Sequence, residues 1–364
     1  MDFLGVILPF LLVLTVVVFI HELGHYLVGR WCGIHAEAFS IGFGPEIFGF
    51  VDGRGTRWRL ALLPLGGYVK FVGDRDPSSA RPGMEDIAGS FQSASLPSRA
   101  ATVAAGPVAN FILSIVIFAS MAFIFGEMRQ IPRVDGVVDG SPAAVAGFRE
   151  GDVIVDIDGY EIDSFADVSR RVVASAGAPM NVVVERGGLE LSLQVQPRLV
   201  EVGEGATRGK SYQIGIQHKP GANGEAVEAV SLSIPEALMH GVGQTWFIIT
   251  STIDYISGVV SGRESGDQIG GPVRIAQISG QVADMGLLPL INLIALLSTS
   301  IGLINLFPMP ILDGGHLLYY GIEAITGKPV SERVQEIGAK LGIGFVLFLM
   351  VYSTWNDLTH LGLF

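Results

Sequence analysis

Four long apolar runs constrain the fold of this chain more than any other feature of the sequence. They cover approximately residues Phe3–Val28, Ala100–Phe125, Leu287–Leu306 and Ile337–Trp355. Each is close to the ~20 residues that an α-helix needs to cross the hydrocarbon core of a membrane. Only 16% of the residues are charged, against roughly 25% in soluble domains. The sequence therefore predicts a polytopic α-helical membrane protein with about four transmembrane helices.

The lysines and arginines near these runs predict their orientation. Eight lie between the first and second runs, two lie between the third and fourth, and Lys340 lies near the start of the fourth, whereas the two ends carry none. Short cytoplasmic loops are enriched in Lys and Arg. We therefore expect a protein of the bacterial inner membrane with both loops in the cytoplasm and both termini in the periplasm. The first run lacks the basic start and cleavage site of a signal peptide, so we expect it to be retained. We divide the chain into transmembrane helices at residues 1–30, 99–126, 287–325 and 326–364, a cytoplasmic loop at 31–98, and periplasmic segments at 127–220 and 221–286.

The cytoplasmic loop contains a predicted β-hairpin. Ile47–Val51 and Trp58–Leu62 are strand-like and flank Asp52-Gly53-Arg54-Gly55, an Asp-Gly hairpin signal. The strands are apolar, so we expect the hairpin to be associated with the membrane. Backbone edges can enter the membrane only where protein or water satisfies their hydrogen bonds.

Residues 127–220 are predicted to form a small α+β domain. Val134–Val138 and Val153–Ile157 are strand-like, Phe165–Ala176 has helical spacing, and a hairpin surrounds Arg186-Gly187-Gly188. The order of these elements, with the run Ser141-Pro142-Ala143-Ala144 and Gly151-Asp152-Val153-Ile154, resembles a bacterial PDZ domain. PDZ domains bind peptide C-termini as an added strand. Ile214, Gly215 and Ile216 would fill the position of the binding loop, although an ordinary strand end is an equal alternative.

The remaining periplasmic segment, 221–286, is predicted to hold an amphipathic helix at Ile234–Val260, lying on the outer face of the membrane, and then a linker.

The acidic charge of the chain is concentrated outside the apolar runs. Residues 127–284 carry 21 acidic and 12 basic side chains, and the whole chain has a formal charge of −12. This balance disfavours a nucleic-acid partner, which would select a basic surface.

Cys32 is the single cysteine, so no internal disulfide is possible, and we expect it to be a buried apolar residue.

The chemistry of the chain is predicted by His21-Glu22-Leu23-Gly24-His25, which fits the pattern H-E-x-x-H. On a helix the two histidines lie on one face and can bind one zinc ion, and Glu22 can act as the general base. Two histidines and a glutamate could also form a plain polar helix face. That alternative is weak because ionisable residues inside a membrane span are costly and usually functional.

A third zinc ligand is expected where prolines interrupt the third apolar run, between Asn305 and His316. Interrupted helices at membrane depth are tolerated where they line a site or cavity. Asp313 is the better candidate by its chemistry, and His316 is the competitor.

Taken together, these motifs make the chain resemble the site-2 protease family of intramembrane zinc metalloproteases, in the bacterial regulator-of-sigma-E protease branch. The resemblance is carried by five segments in the same order: His21–His25, Gly42-Phe43-Gly44-Pro45, Gly66-Gly67-Tyr68-Val69-Lys70, Ala105-Gly106-Pro107-Val108-Ala109-Asn110-Phe111, and Asn305…Pro308…Pro310…Asp313-Gly314. The PDZ-like insert adds to it. Members of this branch often carry two PDZ domains, whereas the insert here has room for one.

The resemblance implies specific roles. His21, His25 and Asp313 would hold zinc, and Glu22 would be the general base. Asn305 would contact the substrate backbone or the oxyanion. Tyr68 and Val69 would belong to the hairpin that pairs with an unwound substrate strand, and Asn110 would lie near the site, with helix–helix packing as its alternative role.

The function expected from this resemblance is cleavage of single-span membrane proteins, an anti-sigma factor or a signal peptide remnant being examples. Two other classes compete with it. One is a PDZ adaptor with a degenerate, non-catalytic core, which a complete set of ligands with Glu22 argues against. The other is a metal transporter, which would more often show inverted repeats and several broken helices.

Overall fold

The computed structural model describes residues 3–73, 89–202, 209–218, 227–262 and 270–360. By their internal contacts they form two units, Met1–Ser120 with Glu236–Phe364, called here the helical unit, and Met121–Pro235, called the inserted unit. The helices are α1 (Phe3–Trp31), α2 (Leu96–Phe125), α3 (Pro142–Ala146), α4 (Phe165–Ala174), α5 (Ile234–Val260), α6 (Pro272–Asp284), α7 (Leu287–Asn305), α8 (Asp313–Thr326) and α9 (Glu332–His360). The strands are β1 (Ala36–Val51), β2 (Arg57–Phe71), β3 (Glu127–Gln130), β4 (Gly136–Val137), β5 (Val153–Ile157), β6 (Tyr160–Glu161), β7 (Met180–Arg186), β8 (Leu189–Val195), β9 (Arg198–Val202), β10 (Gly209–Gln213), β11 (Ile216–Gln217) and β12 (Val227–Val230).

Four helices among the described residues are long and apolar enough to cross a membrane: α1, α2, α7 and α9. This confirms the prediction of a polytopic helical membrane protein. The prolines interrupt the third run as expected, because α7 ends at Asn305 and α8 begins at Asp313. The segment between them is not helical, so Asp313 opens a new helix instead of continuing the old one.

The helical unit is packed through small and hydroxyl-bearing residues as well as apolar ones. A Cβ on Gly302 of α7 would lie 3.1 Å from the Pro107 carbonyl oxygen of α2, so the two backbones approach closely. Ser298 donates a hydrogen bond to the Asn110 carbonyl oxygen at 2.9 Å, and Ser114 donates to the Ala295 carbonyl oxygen at 2.6 Å. Such contacts are typical of helix pairs in membranes, where lipid provides no hydrophobic force between helices. An apolar cluster joins α1 to α7 through Val13, Val17, Leu290, Leu293 and Ile294.

The segment predicted as an amphipathic helix and linker agrees with expectation in its first part and differs in its second. Helix α5 has the predicted bounds and packs on α2, since a Cβ on Gly241 would lie 2.5 Å from the Ile115 carbonyl oxygen. The predicted linker is wrong for Pro272–Asp284, which form α6. Pro272 starts this helix because its fixed φ suits the first helical position and its missing N–H is not needed there.

Helix α6 is capped by a distant carboxylate. Its N-terminal N–H groups would otherwise be unsatisfied inside the helical unit. Asp357 of α9 accepts hydrogen bonds from the backbone N–H groups of Gly271 and Arg274, both at 2.9 Å. Asp357 is buried, so α9 supplies a polar contact that α6 cannot make by itself.

Strands β1 and β2 form a larger sheet than the short hairpin that the sequence predicts. Residues 46–51 pair with 57–61, and residues 38–41 pair with 57–60 on one side and with 67–70 on the other. The strand order is therefore 46–51, 57–61, 38–41, 67–71. Among the described residues, no strand lies beyond 67–71, so this segment is an edge. The sheet packs on α1 through a cluster that includes Tyr26, Phe39 and Phe71, with Cys32 at its border.

The inserted unit has its own core and a four-stranded antiparallel sheet in the order β6-β5-β7-β8. Strand β5 and helix α4 lie at their predicted positions, and Ser141 and Ser164 cap α3 and α4 by accepting from backbone N–H groups. The predicted boundaries, 127–220, are too narrow, because β12 pairs with β3 beyond them. The buried core consists of Val134, Ala143, Phe148, Ile154, Ile157, Ile162, Val168, Val172, Met180, Val182, Val184, Val195 and Ile214.

Candidate metal centre

Three side chains converge where α1 meets the start of α8. His21 and His25 lie one helical turn apart on α1, and their Nε2 atoms are 3.2 Å apart. The Oδ2 atom of Asp313, the first residue of α8, lies 3.2 Å from Nε2 of His21 and 3.5 Å from Nε2 of His25. The structure thus brings together the two histidines and the predicted third ligand. Among the described residues, these three form the group of side chains that could hold a metal ion.

The outer nitrogen of each imidazole is held by α2. Nδ1 of His25 lies 2.9 Å from the Thr102 carbonyl oxygen, which can only accept, so this nitrogen carries the proton. Nδ1 of His21 lies 3.2 Å from the side-chain amide of Asn110. The Asn110 Oδ1 atom is otherwise buried without a partner. Turning the amide over lets Oδ1 accept the Nδ1 proton of His21, so that Nε2 of His21 keeps its lone pair.

These outer hydrogen bonds leave both Nε2 atoms with lone pairs that point at each other and at a carboxylate oxygen. Three acceptors so close together repel one another unless a cation lies between them. Oδ2 of Asp313 is also buried without a donor, as expected for an atom that binds a metal. Ligands bound at 2.0–2.1 Å around tetrahedral zinc lie roughly 3.3 Å apart, which matches the observed 3.2, 3.2 and 3.5 Å. The residues therefore fit zinc.

Glycines allow the backbones to come this close. A Cβ on Gly106 of α2 would collide with Nε2 of His25, and one on Gly24 of α1 would collide with the Ala105 carbonyl oxygen. Gly314 and Gly315 play the same part on α8, where a Cβ would meet the carbonyl oxygens of Phe307 and Met309. The interrupted segment can therefore fold back on the first turn of α8 and hold Asp313 in place. Sequence reasoning assigned no structural role to these glycines.

Glu22 lies in the same cavity, which has a volume of about 250 Å³. The cavity is lined by the three cluster residues and Glu22, by Gly67, Tyr68, Val69 and Phe71 of the edge segment, and by Phe91, Thr102, Val103, His316 and Tyr320. The backbone N–H of Val69 lies near the Glu22 carboxylate. A Cβ on Gly67 would lie 3.0 Å from Cγ of Glu22. The edge segment of the sheet therefore runs directly beside the predicted general base.

The other predicted substrate contacts have different surroundings. Tyr68 lines the cavity, and its hydroxyl accepts a hydrogen bond from Arg59 at 3.0 Å. Asn110 is 0% exposed, so the structure makes it a support for His21 with no surface left for substrate. Asn305 does not line the cavity, and its Nδ2 donates to the Ile301 carbonyl oxygen at 3.0 Å.

The residues predicted for the PDZ binding loop lie in the inserted unit. Ile214, Gly215 and Ile216 line a groove of about 210 Å³ opposite Phe165 and Val172. The side chain of Ile214 belongs to the buried core, so it is the backbone here that borders the groove. Gly215 has a φ of +85°, and a Cβ at this position would collide with Ser141. The turn therefore requires glycine.

Comparison with known proteins agrees with this chemistry. The model of peptidase family M50 matches residues 9–349. The chain is 49% identical to "Putative zinc metalloprotease Atu1380" of Agrobacterium fabrum, over 98% of this chain and 96% of the relative. It is 46% identical to "Putative zinc metalloprotease R01501" of Rhizobium meliloti, over 97% and 96%. It is 37% identical to "Metalloprotease MmpA" of Caulobacter vibrioides, over 100% and 97%.

Proposed function

Because the chain belongs to peptidase family M50, the site-2 protease family, and is a zinc metalloprotease, we propose that it hydrolyses peptide bonds within or next to the transmembrane segments of single-span membrane proteins. The observation that carries this proposal is the position of the site. His21, Glu22 and His25 lie within α1, a helix long and apolar enough to cross a membrane. A peptide bond must therefore come to the membrane to be cut.

In this proposal His21, His25 and Asp313 hold zinc. When zinc is bound, it polarises the scissile carbonyl and lowers the pKa of a water ligand to about 7. Glu22 accepts a proton from the attacking water as the water oxygen bonds to the carbonyl carbon and the carbonyl π electrons move to oxygen. Glu22 then delivers that proton to the amide nitrogen as the C–N bond breaks.

The edge segment 67–71 is proposed to hold the substrate. A helix hides its carbonyl groups in hydrogen bonds, so a transmembrane substrate must unwind before it can be cut. An extended strand can then add to an exposed sheet edge through main-chain hydrogen bonds. Tyr68 and Val69 lie on this edge and line the cavity, which supports the proposal. Asn305, at the end of α7, remains a predicted contact to the substrate backbone.

The inserted unit is proposed to be a single PDZ domain that selects substrates. Its groove lies between α4 and residues 211–216, an arrangement suited to a peptide C-terminus added as a strand. The groove would bind such C-termini, or the domain would exclude bulky proteins. No nucleic acid is proposed as a partner.

The proposed location is the bacterial inner membrane, with membrane lipid around α1, α2, α7 and α9. The distribution of Lys and Arg supports cytoplasmic loops at 31–98 and between α8 and α9. Both termini and the inserted unit would then be periplasmic, and the metal centre would face the cytoplasmic side. An anti-sigma factor is one candidate substrate of this topology.

The test is cleavage of tagged single-span proteins co-expressed with the wild type or with Glu22→Gln. We expect fragments with the wild type and none with Glu22→Gln, while Glu22→Gln keeps its zinc because it is not a ligand. A fully active Glu22→Gln would contradict the mechanism. A wild type that binds zinc yet cuts no membrane protein would instead favour the non-catalytic adaptor.

A further inference from the structure

We propose that His316 is a catalytic residue that donates a hydrogen bond to the carbonyl oxygen of the scissile peptide as negative charge develops on it. This inference rests on the proposed function and names one more residue of the same site. The sequence left His316 as the alternative to Asp313 for the third zinc ligand. In the structure it is Asp313 that lies next to His21 and His25. The structure therefore leaves His316 in the site without an assigned role.

The first support is position. His316 and Asp313 are three residues apart on α8, so their Cβ atoms lie about 5–6 Å from each other on one helix face. His316 lines the same cavity as Glu22 and both other histidines. A carbonyl group bound in this cavity would therefore have the His316 side chain as part of its surroundings. Tyr320, one turn further along α8, continues the wall.

The second support is availability. The imidazoles of His21 and His25 use both nitrogens, one toward α2 and one toward the cluster. Within the described part of the chain, the ring of His316 has an edge contact with Tyr319 and no hydrogen bond. The side chain is also exposed. It is therefore the imidazole in this cavity whose N–H can turn to a substrate.

The third support is the space behind the ring. A second cavity, of about 570 Å³, shares His316, Tyr320 and Phe91 with the first. It also contains an ion pair of 2.7 Å between Arg99 and Glu323, so it is polar enough for water. An N–H without a partner is costly in a membrane. Water in this cavity can satisfy His316 until substrate replaces it.

His316 is better placed for this role than Asn305. The amide nitrogen of Asn305 already donates to its own helix at Ile301, and Asn305 does not line the cavity. A donor aimed at the developing oxyanion gains strength as the charge forms, which is the condition for lowering the barrier. An imidazole N–H supplies such a donor without transferring a proton.

The experiment uses the purified full chain in detergent and a tagged single-span test protein whose transmembrane segment contains a Gly-Pro pair. Wild type, Glu22→Gln, His316→Ala, His316→Gln and Leu318→Ala are compared for kcat, KM and zinc content. Leu318 is exposed on the same helix and controls for a general disturbance of α8. We expect His316→Ala to keep zinc and KM and to lose about 10²–10³-fold in kcat, as for other oxyanion donors. His316→Gln, which keeps a donor, should recover roughly tenfold over His316→Ala.

Each contrary result has its own meaning. An unchanged kcat in His316→Ala overturns the inference, and so does a change confined to KM. Loss of zinc in His316→Ala would make the residue a ligand, and equal activities of the Ala and Gln variants would make its role structural. If the wild type does not cut the test protein, or Glu22→Gln cuts it as well, the proposed function fails too.

Discussion

The side-chain amide of Asn110 lies 3.2 Å from Nδ1 of His21, and both residues are buried in the helical unit. A residue of α2 thus determines which nitrogen of a histidine on α1 is free to bind a metal. Partners of this kind fix the tautomer and the ring orientation of a metal-binding histidine.

We expect Asn110→Leu to weaken zinc binding by about 10–100-fold, the usual effect of losing such a partner. Cleavage should fall in parallel and recover at high zinc concentration. Zinc titration of the apoprotein measures the effect. Ser114→Ala is the matched control, since Ser114 is also buried on α2 but bonds to Ala295 and Thr299 of α7. Equal zinc affinities of Asn110→Leu and wild type would refute the role.

Gly106 gives a second test of the centre. We expect Gly106→Ala to expel zinc, because a Cβ there would collide with Nε2 of His25. The protein should still fold, since the obstruction meets a side chain and not a backbone. Zinc content after purification and thermal unfolding separate the two effects. Gly344→Ala is the control, as a Cβ at Gly344 would have no neighbour within 4 Å. Full zinc content in Gly106→Ala would mean that the ligands lie elsewhere.

Val69 tests the edge segment. Val69→Pro removes the backbone N–H that lies near Glu22 and places a ring on the strand edge. We expect cleavage to be lost while zinc is retained, because no ligand is changed. Val69→Ala keeps the N–H and should stay within roughly fivefold of wild type, an effect of about 1 kcal/mol. Normal cleavage by Val69→Pro would show that substrate is held at another place.

The pair Asp152–Arg186 predicts how the inserted unit responds to pH. Burial by itself would raise the pKa of Asp152, but hydrogen bonds from Arg186 at 2.6 and 2.7 Å and from the Arg149 N–H at 2.8 Å hold it below its ordinary value. The stabilisation is complete above the unfolded pKa of about 3.9. It is lost as the pH falls through the folded-state pKa.

We therefore expect Arg186→Met to destabilise the unit by about 2 kcal/mol at pH 7 and by progressively less as the pH falls from ~3.9 through the lower folded-state pKa of Asp152. Hydrogen exchange of strands β5 and β7, followed in the full chain across this pH range, measures the difference. Arg170→Ala removes an exposed pair with Asp167 and should change exchange little. A difference that is independent of pH would contradict the electrostatic explanation.

Much of the helical architecture was predictable, because spans in lipid must be long, apolar and almost free of charge. The pair His21 and His25 was predictable for a similar reason, since the period of the helix places them on one face. Asp313 could be named as the better ligand, but its approach to α1 depends on Gly314 and Gly315. Glycine has no side chain whose chemistry would point to such a contact.

The contacts that could not be predicted are those made between distant elements by backbone or by small side chains. The sheet order that makes 67–71 an edge depends on residues 38–41 pairing on both sides, which no local hairpin signal reports. Helix α6 was missed because its sequence is short and mixed in polarity, and its N-terminal cap comes from the distant residue Asp357. The resemblance predicted that Asn110 lies near the site. Its contact with Nδ1 of His21 could not be predicted, because that contact depends on how α2 is oriented relative to α1.

The cap that Asp357 provides has a consequence for the order in which the molecule is completed. The chain is made from its N-terminus, so the N–H groups at the start of α6 exist well before their acceptor, which lies 86 residues after Gly271. Until α9 is synthesised and inserted, those groups depend on water. Assembly of the helical unit is therefore finished by its last helix, and a ribosome that stopped short of residue 357 would release a protein with an uncapped α6, open to degradation.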